Sequence, residues 1–340
     1  MNSFHKWTLF FIGLTIIATI VISPYYQFIT RVLKVSPVKA LLSLDGLKKF
    51  DNQVNFVLLG IAGGNHDGPN LSDSITVASY NLKTNKLSTI SLPRDIWSDT
   101  LEDKINSAYA YGEAKKPGIG GLILAKAEIS SVVGLPIQYS AVIDFDHFKE
   151  LINFLGGVDI NIERSFTDKK YPIAGREDDE CGGDKEYKCR YETITFNKGE
   201  TTMDGNTALK FVRSRCSQSE EGTDFAREQR QQKVIEAVKD KLISLAKTPN
   251  IKKYEELYSI LDQIIKRDIS NQQVAIIIKK ILFNKKLTQQ KIALTEDLFV
   301  NPDISDKYNE SWVLIPKDDN FTVIHQHIKC YLEDGKNCRS

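Results

Sequence analysis

Residues Trp7 to Ile22 (WTLFFIGLTIIATIVI) are apolar or small and carry no charge. The run is longer than the apolar region of a usual signal peptide. Pro24, Tyr25 and Tyr26 follow it where a small-residue cleavage site would stand. It predicts an uncleaved signal anchor, a single transmembrane helix with Trp7 and the tyrosines at the interfaces. Lys6 on one side, against Arg31 and Lys34 on the other, leaves its orientation open. The apolar run Val54–Gly60 (VNFVLLG) suits a strand buried on both faces. Ile75–Tyr80 and Leu87–Leu92 read as strands joined by the turn Asn81–Lys86, with further strands over 137–144, 158–162 and 312–315. Helical spacing begins at Lys104–Tyr111 and continues over 120–133, 226–246, 253–266, 271–282 and 325–332. Another helix, Phe145–Leu155, stops at Gly156 and Gly157. Strands alternating with helices give an α/β layered core. The chain divides into an anchor (1–24), a juxtamembrane spacer (25–52), a core (53–245) and a C-terminal part packing on it (246–340).

One stretch concentrates the chemistry: Leu209 to Val234, LKFVRSRCSQSEEGTDFAREQRQQKV. A two-residue period puts Leu209, Phe211, Arg213 and Arg215 on one face of a short strand. After a polar loop, Asp224 stands where a helix N-cap belongs. Arg227, Gln231, Val234 and Val238 then share one helical stripe. Arg213, Arg215, Arg227 and Arg230 can therefore converge where a strand stops and a helix begins. Planar, bidentate donors beside a helix N-terminus suit a phosphate or pyrophosphate. The alternative is a salt-bridged junction in which Glu220, Glu221, Asp224 and Glu228 balance the arginines.

The 340 residues include 45 basic and 44 acidic ones, a net charge of +1. That balance argues against a nucleic-acid-binding face, so the clustered arginines require a local anion. Cys181 and Cys189, and Cys330 and Cys338, enclose short turns with the same spacing, unlike the close pairs of a zinc site. Two local disulfides and an oxidising, extracytoplasmic setting follow. Cys216 is left over as a small thiol.

The ordered segments NFVLLG, LSDSITVASYNLKTNKLSTISLPRDIWS, KINSAYAYG, VIDFDHFKELINFLGGVDINI, DGNTALKFVRSRC and TDFAREQRQQKVI resemble the LytR–CpsA–Psr domain over roughly residues 53–245. The resemblance implies a three-layer α/β/α fold with a mixed central sheet, held outside the cell membrane by the N-terminal helix. It implies a pocket for a polyprenyl chain, with the pyrophosphate at its mouth. The implied reaction moves a glycopolymer from polyprenyl pyrophosphate onto a peptidoglycan hydroxyl and leaves polyprenyl phosphate. By the same resemblance Arg94 of SLPRD faces the pyrophosphate, Arg213 and Arg215 match further strand arginines, and Asp224, Arg227 and Gln231 match a helical group. Asp73 matches an acidic ligand of Mg²⁺. The family's Gly-x-Asp triplet after the first strand is Gly60-Ile61-Ala62 here, so one carboxylate is missing, and Asp67 is the substitute in the following loop. His66 is a poorer ligand for a cation that prefers oxygen.

Phosphoryl transfer depends mainly on positioning and on neutralising phosphate charge. The residues and the resemblance together place Arg94, Asp224 and Arg227 in catalysis, Arg213, Arg215, Arg230 and Gln231 at the pyrophosphate, and Asp73 and Asp67 at the metal. Lys104 and Asn106 fall at the rim. Asp224 either orients an arginine or accepts the acceptor's proton. Two alternatives share the same site: a polyprenyl pyrophosphate phosphatase, and a non-catalytic lipid-binding or regulatory protein of the envelope.

Overall fold

Along the first long strand, Val57, Leu59 and Ile61 alternate with Phe56, Leu58 and Gly60, and these two sets face different layers. The computed structural model describes residues 3–42, 46–64, 68–173, 175–176, 178–217, 220–283, 287–318, 320–333 and 338. Its strands in chain order are β1 (Gln53–Ile61), β2 (Ser72–Asn81), β3 (Lys86–Leu92), β4 (Trp97–Ser98), β5 (Asp103–Lys104), β6 (Tyr139–Asp144) and β7 (Val158–Ile162). They continue with β8 (Phe166–Pro172), β9 (Tyr191–Phe196), β10 (Gly199–Met203), β11 (Ile265–Arg267), β12 (Thr288–Ala293), β13 (Phe299–Val300) and β14 (Ile315–Pro316). The helices are α1 (Ser3–Gln27), α2 (Pro37–Leu42), α3 (Ala108–Lys115), α4 (Gly120–Val133) and α5 (Phe145–Phe154). After them come α6 (Gly205–Arg213), α7 (Asp224–Lys247), α8 (Ile251–Ile264), α9 (Asn271–Phe283) and α10 (Thr322–Glu333).

Six strands form one mixed sheet in the order β11-β6-β1-β2-β3-β12. β6 runs parallel to β1 and β12 parallel to β3, whereas β2 is antiparallel to both β1 and β3. Residues beyond 245 thus supply both edges of the central sheet through β11 and β12. On one face, Val57, Leu59, Ile75, Val77, Ile90 and Val142 pack against α3, α4 and α10. On the other, α9 covers Val54, Tyr80 and Tyr139 at the start of β1. A neighbouring core joins α5, α6, α7 and α8 to the pairs β7–β10 and β8–β9. The expected mixed sheet with helices on both faces is present.

Two expected elements differ. The expected strand through 209–215 is the helix α6 up to Arg213, followed by an extended loop. Over so few residues the apolar spacing satisfies both periods. Asp204 settles it as an N-cap by accepting a hydrogen bond from the Thr207 amide at 2.8 Å. The run expected as a strand over 312–315 contributes only Ile315–Pro316 to a two-residue pair, although Val313 is buried. β12 went unread because, of its TQQKIA residues, only Ile292 is buried.

The spacer is docked, not a free stalk. A π-helical turn, Phe28–Val32, follows α1, and the rings of Tyr25 and Phe28 lie 6.5 Å from Tyr254 on α8. The described apolar side chains of α1, among them Phe11, Ile12, Leu14, Ile16 and Ile20, are exposed. Among the described residues no helix is long and apolar enough to cross a membrane. Both expected disulfides are formed, Cys181–Cys189 and Cys330–Cys338, and Cys216 is an exposed free thiol.

Candidate active site

The site is built from strand ends. β1 ends beside the start of β2, with Ile61 opposite Ser72 and Gly60 opposite Ser74. β3 returns alongside, so Arg94, two residues past its end, lies next to Asp73. The Arg94 guanidinium donates to Asp73 Oδ1 at 2.6 Å, and its Nε lies 3.5 Å from Asp95 Oδ2. Asp95 also takes the Lys104 ammonium at 2.9 Å, and the Asn106 amide donates to the Arg94 carbonyl at 3.3 Å. Arg94 is half-exposed, so its two carboxylates orient a cation that still faces solvent.

Arg213 reaches the same sheet end from α6. Its Nη2 donates to the Ala62 carbonyl at 3.0 Å, tying the last turn of α6 to the loop after β1. Burial pushes the Tyr171 hydroxyl above its ordinary pKa, and the Arg213 guanidinium that hydrogen-bonds it pulls the other way. The loop itself is crowded. A Cβ on Gly60 would stand 2.4 Å from the Phe145 ring, and one on Gly63, at φ +66°, would stand 1.9 Å from Asp144 Oδ1. Asp144 caps α5 by accepting from the Asp146 amide at 2.9 Å, and it pairs with His147 at 3.0 Å.

Between α9 at one end and Phe145 at the other, the second face of the sheet stays partly uncovered. Leu58, on a central strand, is 38% exposed. Its neighbours across the ladder, Thr76 and Ala141, are half-buried. An apolar side chain thus remains exposed in mid-sheet, on the strand that ends beside Asp73 and Arg94.

Arg215 follows Arg213 in an exposed loop whose backbone is fixed from beneath. Buried Asp168 accepts the Ser214 hydroxyl at 2.7 Å and the amides of Arg215 and Cys216 at 3.0 and 3.1 Å. Its other oxygen takes the Lys170 amide at 2.9 Å. From the opposite side Arg230, only 3% exposed, donates to the carbonyls of Phe211, Ser214 and Glu221 at 2.9, 2.7 and 2.7 Å. It also donates to the Glu221 carboxylate at 3.0 Å and lies over the Phe166 ring at 4.8 Å. Burial lowers its pKa, and Glu221 opposes the shift. Arg230 was expected at the pyrophosphate; its guanidinium is instead committed inside the protein, where it fixes the α6–α7 connection.

The N-cap of α7 is Thr223, whose hydroxyl accepts from the Ala226 amide at 3.2 Å, and not Asp224, which is the first helical residue. Arg227 sits in the first turn of α7, half-buried, and Gln231 is exposed one turn later. The fold thus brings Arg94, Asp73 and Arg213 to one sheet end, with Arg215 on the adjoining loop and Arg227 and Gln231 at the start of the adjoining helix. Asp67 and His66 lie outside the described residues. Ala62 offers only its carbonyl, already taken by Arg213, so of the two carboxylates expected at a metal Asp73 is the described one. One carboxylate with phosphate oxygens and water is a usual Mg²⁺ environment. Among the described residues, the one cluster of potential ligands is Asp179, Cys181 and Cys189, where the disulfide removes both thiolates.

Asp95, Asp168 and Tyr171 were not foreseen. Asp95 was visible in SLPRD, but nothing in the sequence distinguishes Asp168 from the charged residues that follow it. Burial acts to raise the Asp168 pKa. The Ser214 hydroxyl and the three amides outweigh it and hold the carboxyl below its ordinary 3.8. A carboxyl lowered by folding stabilises the protein fully above its unfolded value, and that stabilisation fades as the pH falls through the folded value. Asp168→Asn is therefore expected to be less stable than wild type at pH 7, and the gap should close as urea titrations move below about pH 3.8. A gap unchanged at acidic pH would show that the charge contributes nothing.

The model of the LytR_cpsA_psr family matches residues 30–328. The chain is 27% identical over 225 residues to a Bacillus mycoides protein named polyisoprenyl-teichoic acid–peptidoglycan teichoic acid transferase TagU. It is 29% identical over 221 residues to the protein of that name from Enterococcus faecalis. These alignments cover 65% and 63% of this chain but only 62% and 61% of those relatives' own length. Among solved structures, B. subtilis TagV superposes with a TM-score of 0.52 at 22% identity, covering 84% of this chain and 99% of that one. Protein gbs0355 of Streptococcus agalactiae gives 0.53 at 22% identity, covering 84% and 90%. These structures share the fold, and the family model spans most of the sequence: the chain belongs to the LytR_cpsA_psr family.

Proposed function

We propose that this chain is a glycopolymer–peptidoglycan phosphotransferase acting on a polyprenyl pyrophosphate carrier. The observation that carries the reading is the convergence of Arg94, held by Asp73 and Asp95, and Arg213, held by Ala62, at the end of an incompletely covered sheet. The relatives' printed name, a transferase of teichoic acid from a polyisoprenyl carrier to peptidoglycan, supports the same class. Arg94, Arg213, Arg215 and Arg227 bind the pyrophosphate oxygens, with Gln231 at the edge, and the prenyl chain lies against the sheet face at Leu58.

An acceptor hydroxyl oxygen attacks the glycan-side phosphorus. A new P–O bond forms and the bridging P–O bond breaks. The arginines neutralise the charge that gathers on the departing polyprenyl phosphate, and the hydroxyl proton passes to water. Asp224, in the first turn of α7, orients Arg227. Mg²⁺ is the proposed cofactor; Asp73 would hold it, with Asp67, and it would supply further charge neutralisation at the phosphates. The 24 uncharged residues between Lys6 and Arg31 support a single-pass anchor with the domain outside the cell membrane, in keeping with its two disulfides.

The test is to follow carrier consumption by full-length protein with and without peptidoglycan fragments, and with and without Mg²⁺. Acceptor is expected to raise turnover at least about tenfold, and chelation to lower it. Acceptor-independent release of glycan phosphate would favour the phosphatase, and bound but unchanged carrier the lipid-binding protein.

A further inference from the structure

We propose that the outward faces of α2 and α9 form a seat for an anionic lipid leaflet, which holds the domain against the membrane beyond its anchor. The inference rests on the anchored reading above for its orientation, but its observations are separate.

The segment from the π-helical turn to Gly46 is laced to α9. Asn271 Nδ2 donates to the Leu33 carbonyl at 2.9 Å, and the Ser36 amide donates to Gln272 Oε1 at 2.7 Å. Gln273 Nε2 donates to the Gly46 carbonyl at 2.7 Å, and Lys279 Nζ to the Leu41 carbonyl at 3.1 Å. Ile277, with Val274 and Ile281 beside it, points α9 into the core at Tyr80 and Tyr139. What remains outside is apolar: Val38, Leu41 and Leu42 on α2, and Ile278, Leu282 and Phe283 on α9. Leu42 is 83% exposed and Phe283 78%. Single exposed apolar residues are ordinary; six on two helices in contact mark an interaction surface.

Charge and chain continuity select the partner. In a chain with 45 basic and 44 acidic residues, α2 and α9 contain Lys39, Lys279 and Lys280 and no Asp or Glu. Arg31 and Lys34 immediately precede α2. Apolar side chains on two helices whose charged residues are all lysines suit the headgroup region of an anionic leaflet. Moreover, α2 starts five residues after Val32, at most about 18 Å along the chain from the end of the helical segment that begins with α1. If α1 crosses the bilayer, this patch is held at its surface. α9 packs over the start of β1, and Arg94 lies by its far end, so the phosphate site stands about 26 Å along the strand from the seated end.

The experiment uses the full chain carrying Cys216→Ser, with Leu282→Cys labelled by an environment-sensitive nitrobenzoxadiazole probe. A Glu200→Cys probe on exposed β10 serves as the control. Protein is placed in vesicles of phosphatidylcholine alone or with phosphatidylglycerol. Alkaline carbonate extraction reports anchoring independently. The expected result is a blue shift and quenching by brominated lipid at position 282 in anionic vesicles, with none at position 200. Lys39→Gln, Lys279→Gln and Lys280→Gln should each weaken seating about fivefold. A water-exposed probe at 282 in both lipids, with protein still resisting carbonate, would overturn the seat and leave the anchor standing. Carbonate release with the shift retained would do the reverse. A shift that follows protein density in neutral and anionic vesicles alike would assign the face to a second copy and overturn the lipid proposal.

Discussion

Arg94→Ala is expected to lower glycan transfer by roughly 10²–10³-fold while leaving the urea midpoint nearly unchanged. The rate estimate follows from removing one preorganised donor aimed at developing phosphate charge. The stability estimate follows from exposure. The Arg94–Asp73 pair is half-exposed on both sides, and such surface pairs contribute at most about 1 kcal/mol. Arg94→Lys should recover only part of the rate, because an ammonium cannot bridge Asp73, Asp95 and a phosphate as a planar fork does. The comparison is made by steady-state transfer kinetics alongside urea unfolding. Wild-type transfer by Arg94→Ala would remove this residue from the site.

Arg230→Ala is expected to act in the opposite manner, through stability first. It removes the donor from two buried carbonyls, one half-buried carbonyl and the Glu221 carboxylate, and breaking a buried pair of this kind costs about 3–5 kcal/mol. Because the same guanidinium holds the Ser214 carbonyl, the connection bearing Arg213 and Arg215 should loosen even in molecules that remain folded. Urea unfolding of Arg230→Ala and Arg230→Lys, with transfer rates measured well below the midpoint, separates the two consequences. A loss under about 1 kcal/mol with abolished transfer would return Arg230 to the pyrophosphate.

These contrasting arginines show what the sequence made legible. Arg94 was recognisable because it ends a strand in the motif SLPRD, and a strand end fixes where its side chain emerges. Arg213 was read as a site arginine through the wrong element. Phe211 and Arg213 fit a strand or a helix equally well over seven residues, and only the Asp204 cap decides between them. Arg230 carries the same charge in the same segment, but its destination depends on Phe166, which the chain brings to it from elsewhere, and on Glu221 folding back over it. Asp168 is the same case, a carboxylate beside Lys169 and Lys170 with no special mark until Ser214 folds over it. Similarly, β12 shows no apolar alternation because it sits at a sheet edge with one residue in the core. Local periodicity thus disclosed the central strands and most helices, while long-range partners decided edges, caps and buried charges.

The central claim is that the glycan leaves the carrier together with one phosphate and becomes bonded to peptidoglycan. The direct measurement labels the glycan-side phosphorus of a polyprenyl-pyrophosphoryl sugar and follows the label by mass spectrometry after incubation with peptidoglycan fragments. The label is predicted in a phosphodiester on the glycan strand, with unlabelled polyprenyl phosphate as co-product. Label recovered as free sugar phosphate, or left on the lipid, would contradict it.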